Sequence, residues 1–338
     1  MNTPLDSAVS TTIRRDVQAE RPAVSVTLSR VGVTNVEKIV RMATSGGPQL
    51  FYAELDCFVD LAAAQKGAHM SRFEEIVNEA IDEVVLRESF KAEVLAGHIA
   101  ELVRERQIGA RAEVSLRARY PEHKPTPVSG VSTQEIYTLL GTAVATDRGT
   151  RRMVGVQAHG MTACPCAQEM VAENSRARLA EHGFSESEIE RVLESVPLAT
   201  HNQRGIATLQ VGLAEGCAEA IDARTLLRIA EDSMSSEIYE LMKRGDEVSV
   251  VEKAHRRPRF VEDCVREMIA GVADEFGGRL PADAFVSARQ ENFETIHQHN
   301  VMAERHGLLG ELAGELESRG DTPARHLTVR TWLDGDVA

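Results

Sequence analysis

Apolar and polar residues alternate from Val24 to Ser29, the period-2 signature of a strand with one buried face. After the Ser45-Gly46-Gly47-Pro48 turn, residues 49–61 predict a second, longer strand enriched in aromatic and β-branched side chains. The period then lengthens to that of a helix. Phe73, Ile76, Val77, Ala80, Val84 and Val85, and later Val94, Leu95, Ile99, Leu102 and Val103, predict helical structure within residues 71–107. Alternation returns through Ala112, Val114, Leu116, Ala118 and Tyr120, and a proline-rich break over residues 121–127 leads to another strand over 135–146.

The second half repeats this grammar. Residues 152–157 read as extended, 167–182 and 186–195 as helical, and 206–213 as a strand. Residues 223–243 predict one long helix with Leu226, Leu227, Ile229, Ile238, Leu241 and Met242 on its apolar positions. A further helix is expected over 260–276, an extended run over 284–289 and a last strand over 327–332. Strands that come in pairs around helices favour an α+β fold with antiparallel sheet over alternating βαβ units. A soft boundary near residues 148–151 divides the chain into a loose tail (1–20), a first unit (21–150) and a second unit (151–338).

A chain of 338 residues with 43% hydrophobic content can bury a sizeable core. Its formal net charge of -14 argues against a sequence-independent grip on nucleic acid, which needs a basic face. A local pocket of cations could still receive a small anion. The polar start of the chain offers no apolar segment resembling a secretory signal, and no window approaches a membrane span. Five cysteines are too few for a disulfide scaffold and their odd number suits a reducing compartment, so a cytoplasmic protein is expected.

The chemistry is concentrated in short clusters. Cys164-Pro165-Cys166 places two thiols just ahead of a helical pattern, where a helix N-terminus favours thiolate, a soft metal ligand and a nucleophile. A disulfide between them would be strained, and two further close ligands of a zinc knuckle are missing. Buried thiols in a turn are the plainer alternative, and a thiol redox pair is another. His297 and His299 would project to one face if the segment is extended; on a helix His297 would pair instead with Glu294. A polar surface turn is the bland reading. His201, in Thr200-His201-Asn202-Gln203-Arg204, gains weight only from this company, and Asp246-Glu247 and Glu262-Asp263 read equally as helix-capping acids. Lys66, His69 and Arg72, in a Gly-containing loop before a helix, could cradle phosphate without matching a Walker or dinucleotide motif.

Together these segments resemble the type IB GTP cyclohydrolases, and more closely their archaeal branch in methanopterin and archaeal folate synthesis. The resemblance spans residues 22–333. It rests on residues 66–73 (KGAHMSRF), Cys164-Pro165-Cys166, His201-Asn202-Gln203-Arg204, residues 241–247 (LMKRGDE), Phe260-Val261-Glu262-Asp263 and residues 291–299 (ENFETIHQH), in that order. It implies an α+β tunnelling fold (T-fold), with two antiparallel-sheet plus helix-pair units per chain assembled into an oligomeric barrel. The homo-oligomer, a dimer or tetramer, would carry active sites at subunit interfaces.

By the same resemblance Cys164, His201, Glu247, Glu294 and His297, all in the second unit, are metal-site positions. Cys164, His297 and His299 are catalytic positions. Which of Glu294, His297 and His299 touches the ion stays open. Glu262 falls where a purine-anchoring carboxylate belongs, and Lys66, His69, Arg72 and Arg204 are candidates for the phosphates. One divalent ion per site is implied, Fe(II) with Zn or Mn as alternatives. The implied substrate is GTP and the implied chemistry is hydrolytic opening of the guanine imidazole ring, loss of formate and closure to a dihydropterin. In the archaeal branch the product is 7,8-dihydroneopterin 2′,3′-cyclic phosphate with pyrophosphate leaving; in the bacterial branch it is the triphosphate. The segment from Glu169 to Thr200 is longer than in bacterial members, and Ala167-Gln168 replaces their Ser-Lys after the second thiol; both features look archaeal. A non-catalytic pterin- or metal-binding protein of the same fold is the alternative from another class.

Overall fold

The computed structural model describes residues 16–44, 47–85, 91–214, 216–217, 219, 221–318 and 325–336. The first half is β1 (Leu28–Thr44), β2 (Gly47–Leu61), α1 (Met70–Val85), α2 (Ala92–Gln107), β3 (Ala112–Pro125) and β4 (Ser132–Thr146). The second half begins with β5 (Gly149–Ala163), α3 (Pro165–Glu181), α4 (Glu186–Ser195), β6 (Asn202–Leu213) and α5 (Ala223–Asp232). It continues through β7 (Ser236–Glu237), α6 (Arg244–Arg256), α7 (Val261–Phe276), β8 (Phe285–Asn292), β9 (Val301–Leu308), α8 (Leu309–Glu317) and α9 (Val329–Leu333). All pairings are antiparallel, in the order β1-β2-β3-β4-β5-β6-β8-β9, with β7 attached to β5. This is the expected α+β arrangement of antiparallel sheet and helix pairs. The boundary near 148–151 falls in the tight turn of the β4–β5 hairpin, so both halves share one sheet. Most of the expected tail, residues 1–15, lies outside the described residues.

The period-2 pattern decides the faces. Ala53, Leu55, Cys57 and Val59 of β2, Val114 and Leu116 of β3, and Val154, Val156 and Ala158 of β5 turn to one side. There Phe73 and Ile76 of α1, Leu95 and Ile99 of α2, Leu226 and Ile229 of α5, and Met268 and Val272 of α7 cover them. The opposite face stays largely open and polar around a concavity of about 560 Å³ that includes Arg117, Gln157, Thr208, Gln210 and Arg289.

Several local expectations are corrected. The alternation at Val24 does not start a strand: pairing begins at Leu28↔Leu61, and Val24 and Val26 remain exposed. The long β1 beyond it escapes the pattern because two register irregularities interrupt its period, with Asn35 at φ 55 donating its N–H to Asp56 Oδ1. The proline-rich segment 121–125 is strand, not a break. Its pairing with β2 ends at Ala118, so proline there removes no ladder bond on that side.

Residues 223–243 are not one helix. α5 stops at Asp232, after which Ser233, Ser235 and Ser236 are buried, and Ser236-Glu237 adds to β5. The last strand is a short helix. Thr328 caps α9, and Trp332 packs on the otherwise open sheet face, its ring 5.2 Å from that of Phe285. Gly212 makes room for it, since a Cβ there would lie 2.6 Å from the indole.

Candidate active site

The ladders sort the candidate residues by sheet end. Val59, Ala112, Ala145 and Thr150 lie in one row across β2 to β5, while Ala163, at the far end of β5, pairs with Asn202. At about 3.3 Å per strand residue, these ends stand on the order of 40 Å apart. Cys164, His201, Glu294, His297 and His299 follow or precede strand ends at the far rim. Lys66, His69 and Arg72 follow β2 at the near rim. One chain does not bring the two groups together.

At the far rim, the N–H of Cys164 donates to the His201 carbonyl at 3.1 Å, and Thr200 Oγ1 donates to the Cys164 carbonyl at 2.7 Å. Pro165 occupies the first turn of α3, where its missing N–H costs nothing. Cys164 is the cap of that helix, its Sγ accepting from Ala167 N at 3.5 Å, so the helix dipole and a backbone donor face the sulfur. Cys166 is exposed. The α3–α4 hairpin that follows is fastened to α6 through Gln168, whose amide donates to the carbonyls of Leu198 and His255, and through Arg256 to Glu194 and Ser195.

His201 is partly buried, with Nδ1 3.0 Å from Gln203 Oε1 and 3.8 Å from Glu294 Oε2. Glu294 opens the loop between β8 and β9, which Phe293 N and Thr295 Oγ1 tie to the carbonyls of Arg204 and Asn202. His297 and His299 are exposed in that loop, which bends through residues 295–299 rather than running extended, and their rings stack 5.2 Å apart. Arg204 points to the open face; burial lowers the pKa of nearby His159, and the charges of Arg204 and Arg119 add to that.

The neighbouring acids separate into structural and available groups. Asp246 is buried and accepts from Val128 N, Ser129 N, Ser129 Oγ and Lys243 N, locking the start of α6 to the β3–β4 loop. Desolvation would raise its pKa, but these hydrogen bonds overcome it and hold the carboxyl well below the ordinary aspartate range. Glu247, beside it, is exposed. The eight residues to His255, where α6 meets Gln168, correspond to about 12 Å along the helix. Asp263 caps α7 through Phe260 N, leaving Glu262 exposed beside a groove of about 530 Å³ lined by Val265, Ile269, Ala303 and Leu312. Arg259 N donates to the Ala163 carbonyl at 2.9 Å, which sets the α7 start against the Cys164 turn.

The near-rim loop has partners of its own. Lys66 Nζ lies 3.9 Å from Glu20, His69 Nε2 3.3 Å from Asp16, and Arg72 donates to the Arg106 carbonyl.

Thiolate, imidazole and carboxylate form a donor set suited to Zn or Fe(II). Among the described residues, no three His, Cys, Asp or Glu side chains already converge as an ion cage. Thr162, Gln203, Gln290 and Asn292, to which the sequence assigns no role, form a buried polar group beneath His201. Their only trace in the chain is polar character at inward-facing strand positions.

A family model described as Type I GTP cyclohydrolase folE2 matches residues 15–303. The chain is 43% identical over 311 residues to GTP cyclohydrolase MptA of Methanococcus maripaludis (strain C5), covering 90% of this chain and 98% of that protein. It is also 43% identical over 305 residues to GTP cyclohydrolase MptA of Haloferax volcanii, covering 90% and 98%. Among solved structures, uricase from Arthrobacter globiformis aligns over 88% of this chain and 96% of that chain, with 6% identity and a TM-score of 0.48. No helix among the described residues is long and apolar enough to cross a membrane.

Proposed function

The chain belongs to the type I GTP cyclohydrolase folE2 family and is an enzyme of it, and we propose that it opens the guanine ring of GTP with release of formate at the Cys164 rim. The observation that carries this reading is the backbone bond between Cys164 and His201, with Glu294 beside the imidazole and the Glu262 helix start tied to the same strand end. The product is 7,8-dihydroneopterin 2′,3′-cyclic phosphate, with pyrophosphate leaving. Relatives named GTP cyclohydrolase MptA, matched over nearly their whole length, support this over the triphosphate.

Cys164, His201, Glu247, Glu294 and His297 would supply the ligands of the divalent ion, Fe(II) before Zn or Mn. When bound, such an ion polarises water for attack at C8 of the guanine. Glu262 accepts two parallel hydrogen bonds from the guanine N1–H and 2-amino groups and sets the ring in place. His297 and His299, exposed and stacked, would carry protons between the opening ring and solvent. Arg204 and the Lys66, His69 and Arg72 loop neutralise phosphate.

The separation of the two rims requires that loop to come from a second copy, in a homo-oligomer with sites shared between subunits. Among the described residues, the outer strands β1 and β9 each pair with one neighbour, which leaves an edge for such assembly. The two halves then act as the two T-fold units. The free thiols at Cys57, Cys164, Cys166, Cys217 and Cys264 support a reducing, cytoplasmic setting.

Anaerobic incubation with GTP and Fe(II), Mn(II) or Zn(II) tests the proposal. Formate and a product of cyclic-phosphate mass are expected; a triphosphate mass overturns the product assignment, and no formate with any metal overturns the activity.

A further inference from the structure

The far rim rests on a buried polar knot that no part of the mechanism above uses. Thr162 Oγ1 accepts from Gln203 Nε2 at 3.0 Å and from Asn292 Nδ2 at 2.8 Å, and Asn292 Oδ1 accepts from Gln290 Nε2 at 2.9 Å. All four side chains are buried, Thr162 and Gln290 completely. Gly205 leaves the space they need: a Cβ there would lie 2.4 Å from Gln290 Nε2 and 2.6 Å from Asn292 Oδ1.

The spacing of the knot is informative. Thr162 lies two residues before Cys164, Gln203 two after His201, and Asn292 two before Glu294. Two residues are one strand repeat, so Thr162, Gln203 and Asn292 each sit at a strand end, two positions along the chain from a candidate site residue. Three adjacent strand ends, β5, β6 and β8, are thereby tied together under the three groups they carry.

The contact of Gln203 with Thr162 sets which end of its amide faces the imidazole. Gln290 gives its N–H to Asn292, and Asn292 and Gln203 both give theirs to Thr162. Gln203 therefore turns its Oε1 towards the imidazole, 3.0 Å from Nδ1. A carbonyl oxygen can only accept, so the partner nitrogen must carry the proton. Glu294 Oε2 lies near the same nitrogen at 3.8 Å. We infer that Gln203 is a positioning residue that holds His201 with its proton on Nδ1 and its lone pair on Nε2, making Nε2 the nitrogen offered to the ion. The metal half of this inference rests on the reading of His201 as an ion-holding residue; the tautomer half does not.

The test uses the full-length, metal-free protein with 15N-labelled histidine, and Co(II) as the metal probe. In the native protein the imidazole spectrum should show His201 as the Nδ1–H tautomer. Gln203→Met keeps the length of the side chain and removes the acceptor. It should release the tautomer preference and weaken Co(II) binding by about 10–100-fold, the usual effect of losing an outer partner of a ligating histidine. Gln203→Glu still offers an oxygen to Nδ1 and should restore both readouts towards native.

An unchanged tautomer in Gln203→Met overturns the inference, as does a Gln203→Glu protein as impaired as Gln203→Met, which would assign Gln203 to packing alone. If Gln203→Met folds poorly, Thr162→Val removes the hydroxyl that orients the amide and should mix the tautomers. Cys164→Ser separates the two readings. Loss of the thiolate-to-cobalt absorption in that variant supports the site. A native protein lacking that band overturns metal binding there, while the tautomer result still decides the role of Gln203.

Discussion

The N–H of Cys164 donates to the carbonyl of His201 at 3.1 Å, so the thiol-bearing turn and the imidazole-bearing strand start are joined by backbone. The two residues stand 37 positions apart in the chain, with the α3–α4 hairpin between them. This bond does not depend on either side chain. Substituting one side chain should therefore alter chemistry with little effect on the fold.

Cys164→Ser and Glu262→Ala should fail in different ways. The first should lose bound metal and formate production, by more than the roughly 10–100-fold typical of outer-shell changes, while still binding guanine nucleotide. The second should keep its metal and lose nucleotide affinity. Metal analysis and calorimetric titration with GTP distinguish them, and full activity in both would refute the site.

A shared site predicts complementation. Cys164→Ser and Lys66→Ala lie on opposite rims of one chain, so each homo-oligomer should be inactive for a different reason. Mixing the two under conditions of subunit exchange should regenerate some intact sites and restore formate release. Mixtures no more active than their parents would place both rims in separate roles.

The thiols should divide by burial. Cys57 and Cys264 are buried, and desolvation pushes both thiols up to about 12. At pH 8 iodoacetamide should label Cys166 readily and leave Cys57 and Cys264 unmodified until the protein is unfolded. Peptide mass spectrometry reads this directly, and early labelling of Cys57 would contradict the packing of β2.

Asp246 should make stability depend on acidity. Its folded pKa lies below the unfolded value, so its contribution is fully present above the ordinary aspartate range and is lost as pH falls through that range towards the folded value. The urea midpoint of the native protein should exceed that of Asp246→Asn at pH 7, and the gap should narrow as pH drops from about 5 towards 3. A gap that is constant with pH would show that the carboxylate charge is not what holds the β3–β4 loop to α6.

The legible and illegible parts of the fold have physical causes. The core strands announce themselves where, as in β3, Val114, Leu116 and Ala118 alternate with Glu113, Ser115, Arg117 and Arg119 on an uninterrupted ladder. β1 hides because two irregularities shift its period. The last helix reads as a strand in the sequence because a five-residue segment carries too little periodicity to separate the two, and its apolar side chains serve a second core around Trp332 and Phe285. Residues 223–243 read as continuous because Ile238, Leu241 and Met242 keep helical spacing beyond the buried serines that follow α5.

The sequence by itself determined the alternating core, the order of strand and helix pairs, and the side chains that can ligate, protonate or pair with phosphate, since these are local properties of residue type and spacing. Only the tertiary structure decided where those groups lie. Ladder register puts Cys164, His201 and Glu294 on one rim and Lys66 and His69 on the other. Hydrogen bonding makes Asp246 a lock while Glu247 stays exposed. The amide order beneath His201 depends on three strands that meet only after the sheet has formed, and no linear spacing encodes the direction of those donors.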